Sequence, residues 1–135
     1  MSGSQQWHLT ETYKSLISIS VEALKLVALV NGGAAIGILT FVGNLAARGQ
    51  VETVPRVGTS LLCFCGGLVC ALLAFMASYL TQLQLYNEEI AIQRGVVPVR
   101  THTWPLKVGV MLALVSVLLF GLGCVLGSRA LTGSP

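Results

Sequence analysis

Three stretches of this chain carry no charged side chain, and each is long enough to cross a lipid bilayer as a helix. They are residues 26–47 (22 residues), 57–87 (31 residues) and 108–128 (21 residues). A hydrocarbon core about 30 Å thick needs roughly 20 helical residues at 1.5 Å each. Lys25 and Arg48 bracket the first stretch, and Lys107 and Arg129 the third. A charge at the bilayer centre costs about 3 kcal/mol or more, so these residues mark membrane edges. In the second stretch Thr81, Gln82 and Gln84 end the apolar part, which narrows the span to residues 58–80. Composition agrees: 54% of residues are hydrophobic and 10% charged, against about 25% charged in a soluble domain. So few polar side chains leave a water-facing surface uncovered, and the lipid bilayer is the expected partner.

The periodicity continues past the spans. Leu9, Tyr13, Leu16, Ile17 and Leu24 recur at helical spacing, with Thr10 as a candidate N-cap and Glu11 in the first turn. No Gly or Pro follows until Gly32. A polar tail over 1–9 and a helix over 10–48 are predicted, the latter an amphipathic lead running directly into the first span. Met76, Leu80, Leu83, Tyr86 and Ile90 prolong the second helix, predicted over 57–94, with Gly95 as its C-cap. The third is predicted over 105–130, with Thr103 as N-cap, Pro105 in the first turn and Trp104 as an interfacial anchor. Residues 49–56, with Pro55, and 95–104, with Pro98, are the expected linkers.

The expected fold class is therefore an all-α membrane protein with three transmembrane helices. The first two extend into a helical stem on one side of the membrane. Projections of about 15 residues stand roughly 20 Å above the membrane; the alternative is a lead lying flat among the headgroups. Lys14, Lys25, Arg94, Arg100 and Lys107 lie on the stem side, and Arg48, Arg56 and Arg129 opposite. This bias places the N-terminus inside. The first nine residues are polar and the first apolar run is long, so no cleaved signal peptide is expected.

Small and polar residues inside the spans are the candidate functional positions. Asn31 precedes a Gly33/Gly37 pair of the small-xxx-small kind that lets another helix approach closely, and its amide can hydrogen-bond across such a contact. The alternative is a polar ring lining a pore or cavity, with Thr40 and Asn44 as further lining candidates. The second span carries Gly66, Cys70, Ala74 and Ser78 at steps of four, beside Cys63, Gly67 and Ala71; the third carries Gly109/Ala113 and Gly123/Gly127. So many small faces point to a homo-oligomer, against a compact monomer whose glycines all face inward. On the stem, Tyr13, Leu16, Leu83 and Tyr86 are candidates for docking a partner protein.

Other chemistries find little footing. The chain contains no Asp, Glu88 and Glu89 diverge on their helix, and no Ser or Cys has a positioned base beside it. No catalytic residue and no enzyme activity is expected. Cys63, Cys65, Cys70 and Cys124 lie within apolar runs as packing residues, and no metal or cofactor is expected, since neither His8 nor His102 falls in a span. A net charge of +3 without a clustered basic face gives no nucleic-acid footprint.

The amphipathic lead, the Asn31-Gly32-Gly33-Ala34-Ala35 start of the first span and the two later spans resemble small bacterial inner-membrane proteins. That resemblance implies a bacterial cytoplasmic membrane and no particular activity. A looser one is to phage holins, small multi-span proteins that assemble into membrane lesions, although Arg129-Ala130-Leu131-Thr132-Gly133-Ser134-Pro135 stands here in place of their charged tail. Two functions are weighed: a self-associating, channel-like or membrane-perturbing oligomer, and an anchor or accessory subunit that docks a partner through the stem.

Overall fold

A computed structural model of the chain describes residues 3–49, 54–97 and 103–132. They form three α-helices, α1 Gly3–Ala47, α2 Val54–Gln93 and α3 Thr103–Thr132, with no strand among the described residues. All three are long and apolar enough to cross a membrane. α1 begins earlier than its sequence predicts: Thr10 is interior helix and residues 3–9 are not a separate tail. The run Ser4-Gln5-Gln6-Trp7-His8-Leu9 holds no helix breaker, so the helix propagates back to Gly3. Likewise Pro55 belongs to the first turn of α2 and not to the linker, a position where its missing N–H costs nothing. Pro98 of the second linker, together with Arg100 and His102, lies outside the described residues.

Both described helix exits turn on a left-handed glycine, Gly49 (φ 72°) and Gly95 (φ 73°). At Gly95 the amide of Val96 donates to the Ala91 carbonyl (2.9 Å) and that of Gly95 to Ile92 (3.0 Å). These two bonds satisfy carbonyls that the end of α2 would otherwise leave open.

α2 is the central helix, packed along α3 and, less extensively, against α1. Where residues meet their neighbours fixes the antiparallel register of α2 and α3. A Cβ at Gly109 would stand 3.3 Å from Ala77, one at Gly66 3.5 Å from Leu119, and one at Gly127 3.3 Å from the Ser60 hydroxyl. Gly123 faces the ring of Phe64, which also packs against Phe120 at 5.7 Å between centroids. This register sets residues 58–80 of α2 beside 107–129 of α3, so the two uncharged spans coincide in depth and Lys107 and Arg129 bound the pair at its two ends.

The inward positions follow one rule on every helix. Ile17, Val21, Leu24, Ala28, Asn31, Ala35, Ile38, Val42 and Leu45 on α1 alternate steps of four and three, and all are buried or half-buried. On α2 the line is Val57, Ser60, Phe64, Gly67, Ala71, Ala74, Ser78 and Thr81; on α3 it is Pro105, Gly109, Leu112, Ser116, Leu119 and Gly123. A repeat of 3.5 residues holds a seam against its neighbour in left-handed helix packing. The seam is small and polar while the outside is large and apolar. Ser60 and Ser116 are fully enclosed, whereas Leu62 is 73% exposed and Leu118 71%. Between helices in lipid, where tails are as apolar as leucine, close packing replaces the hydrophobic core as the source of association.

α1 and α2 both run past their spans in the same direction. Ile17, Val21 and Leu85 are among the half-buried residues there, while Tyr13, Leu16, Leu83 and Tyr86 are exposed. α1 also sits deeper than its charges predict. Asn31 meets α2 at Gly67 and α3 at Ser116, which places Lys25 roughly 5–10 Å below the level of Lys107 at 1.5 Å per residue. The exposed Glu22–Lys25 ion pair (2.8 Å) therefore lies on the outside of α1 within the depth spanned by α2 and α3.

Candidate functional site

Mid-bundle, one polar contact joins all three helices. The Asn31 Nδ2 donates to the Val27 carbonyl one turn earlier in α1 (2.9 Å) and to the Ser116 Oγ of α3 (3.3 Å). The Ser116 hydroxyl donates in turn to the Gly67 carbonyl of α2 (2.6 Å). Asn31 and Ser116 are wholly buried. The Asn31 Oδ1 accepts no conventional hydrogen bond from the described residues and lies against Gly67, where a Cβ would collide with the amide. A glycine Cα–H faces that oxygen, a weak contact common at helix interfaces. Gly67 is thus required for approach: only a residue without a side chain lets the carboxamide lie flat on α2.

Above this latch, toward the N-terminal side, α1 stands off from α3 and leaves an apolar cleft of about 640 Å³. Tyr13 and Leu24 of α1, Ser78 and Leu85 of α2, and Pro105 and Val117 of α3 are among its walls. Two of its polar groups are occupied locally, since the Ser20 hydroxyl donates to Leu16 (2.8 Å) and Thr81 to Ala77 (2.8 Å). Below the latch, Ser60 is buried against Gly127 with its Oγ unpartnered among the described residues.

The candidate positions divide between these regions. Asn31 forms the latch, Ala74 is buried on the seam, Gly66 meets Leu119, Cys70 is half-buried, and Ser78 lines the cleft. Gly33, Gly37, Thr40 and Asn44 all face outward. Nothing lies within 4 Å of a Cβ placed on either glycine, and the Thr40 hydroxyl donates to its own Ile36 carbonyl (2.9 Å). Tyr13, Leu16, Leu83 and Tyr86 are 40–65% exposed, and the first two also border the cleft. Asn31, Thr40 and Asn44 do not converge on one lumen. Ser116 is the important residue that steps of four conceal. Its signal is the seven-residue spacing Gly109, Ser116, Gly123, matched on α2 by Ser60, Gly67, Ala74 and Thr81.

No group of three potential metal-binding His, Cys, Asp or Glu side chains is present among the described residues, and the four cysteines are separate thiols. Three apolar, spanning-length helices held by a small, polar seam define an integral membrane protein. Comparison with protein-family models, with curated proteins and with solved structures found no match to this chain.

Proposed function

We propose that the protein is a non-enzymatic, self-associating membrane component whose copies meet through the outer face of α1. The observation that carries this is the line Gly33, Gly37, Thr40 and Asn44. It lies on the side of α1 opposite Asn31 and Ala35, and none of the described residues covers Gly33 or Gly37. Glycines four apart on a spanning helix let a second backbone approach closely.

A single chain offers no conduit at its centre, because Asn31, Ser116 and Gly67 close it. In a channel-like or membrane-perturbing assembly the path therefore runs between subunits, beside Thr40 and Asn44. The test is the particle mass in native nanodiscs, compared between the native chain and Gly33→Leu/Gly37→Leu. We expect a defined homo-oligomer that the double substitution reduces to single chains. A native chain found only as a monomer would overturn the proposal.

A second function, docking of a partner protein, is favoured by one separate feature: Leu83 and Tyr86 stay exposed on the part of α2 that extends beyond its span. A partner that co-purifies in fixed ratio and is lost from Leu83→Lys/Tyr86→Lys would establish it.

A further inference from the structure

We infer that the cleft between α1 and the α2–α3 pair is a slot for one acyl chain of an anionic phospholipid from the N-terminal-side leaflet. Its dimensions point to this occupant. On α3 the walls run from Pro105, beside the edge residue Lys107, to Val117, beside the latch residue Ser116. That is roughly 18 Å along the helix at 1.5 Å per residue, close to one leaflet of a hydrocarbon core about 30 Å thick. The slot therefore covers the depth of that leaflet and continues past its face, where Tyr13 of α1 and Leu85 of α2 prolong its walls toward headgroup level, and it stops at mid-membrane, where the Asn31–Ser116–Gly67 contact forms its floor.

Its volume, about 640 Å³, falls within the range of pockets that enclose one small apolar ligand. Leucine, isoleucine, valine and alanine dominate the walls, and the hydroxyls of Ser20 and Thr81 are turned back on their own helices. The wall chemistry is that of a hydrocarbon tail. Lys107, next in sequence to the wall residue Leu106, is exposed and makes no ion pair among the described residues, which suits an anionic headgroup. The slot belongs to a single chain and stands whether or not copies associate.

The probe is phosphatidylglycerol carrying a nitroxide along one acyl chain, titrated into delipidated protein in dodecyl maltoside and followed by electron paramagnetic resonance. An immobilised component saturating near one lipid per chain is expected. Ala113→Phe, which fills the slot wall, should lower that component at least fivefold, and Ala46→Phe, on the far half of α1, should leave it unchanged. Lys107→Gln should weaken binding several-fold for phosphatidylglycerol but not for phosphatidylcholine. Absence of a saturable component in the native protein would overturn the inference, as would equal binding by Ala113→Phe shown by circular dichroism to be folded. Should Ala113→Phe not fold, Ala23→Phe replaces it with the same two outcomes. A disulfide between slot residues of two copies, formed in native membranes from Ala23→Cys chains, would assign the cleft to a second copy and equally overturn it.

Discussion

Gly67 and Asn31 set the tolerance of the bundle centre at the level of single atoms. The carboxamide is held by the Val27 carbonyl, the Ser116 hydroxyl and the surface of Gly67 together, so it has no direction in which to yield. Gly67→Ala should therefore destabilise the folded chain by about 1–3 kcal/mol, the usual cost of overpacking a close contact. Ser116→Ala removes hydrogen bonds without adding volume. Such bonds average about 0.6 kcal/mol between membrane helices, and about 1.7 at most, so its effect should be smaller. Gly33→Ala meets open space and should not destabilise the chain at all, since alanine is the better helix former. Unfolding of the three variants in mixed micelles gives the order directly. Should Ser116→Ala prove the most damaging, hydrogen bonding and not steric fit would dominate the latch.

At the scale of the helices, the decisive feature is the seven-residue repeat that keeps Ser60, Gly67 and Ala74 facing α3 and Gly109, Ser116 and Gly123 facing α2. A disulfide test follows from it. Ser60 Cβ lies 3.8 Å from where a Cβ of residue 127 would be, matching the mean Cβ separation of about 3.8 Å in disulfides. In a background without the native cysteines, Ser60→Cys/Gly127→Cys should cross-link under mild oxidation, whereas Ser60→Cys/Val125→Cys should not, because Val125 faces outward. A gel shift on reduction reports the bond. The same repeat explains what was legible in the sequence. Uncharged run lengths delimit three spans, and Gly95 marks the end of α2, because desolvation cost and left-handed backbone geometry act on individual residues. Which small residues face inward is another matter. Steps of four, as in Gly66, Cys70, Ala74 and Ser78, drift around a helix and join the seam only at Ala74 and Ser78, whereas the true line advances by seven. Nor did run length reveal the depth of α1, since that depends on Asn31 finding Ser116 and Gly67 across two other helices.

For the whole molecule, three spans put the described beginning of α1 and the end of α2 on one face and Gly49 on the other. Lys14, Lys25, Arg94, Arg100 and Lys107 belong to the first face in sequence order, against Arg48, Arg56 and Arg129. The structure makes this margin narrower than the count. Lys25 sits below the level of Lys107 on the outside of α1 and is paired to Glu22, so its ammonium must extend along the helix to reach the headgroups. Orientation by positive charge thus rests chiefly on Lys14, Arg94, Arg100 and Lys107. Replacing Lys14 and Arg94 by Gln should leave the two faces nearly balanced and yield both orientations in one membrane. Single cysteines at Gly95 and Gly49, again without the native thiols, report this through a membrane-impermeant maleimide applied to intact bacterial cells expressing the protein. In the native charge background, Gly49→Cys should label and Gly95→Cys should not, with the N-terminus inside. With Lys14→Gln and Arg94→Gln, each should label in part. Exclusive labelling of Gly95→Cys in the native background would reverse the orientation. Unchanged labelling after the charge replacements would show that the order of insertion of the spans, and not the arginine and lysine bias, fixes how this bundle sits in its membrane.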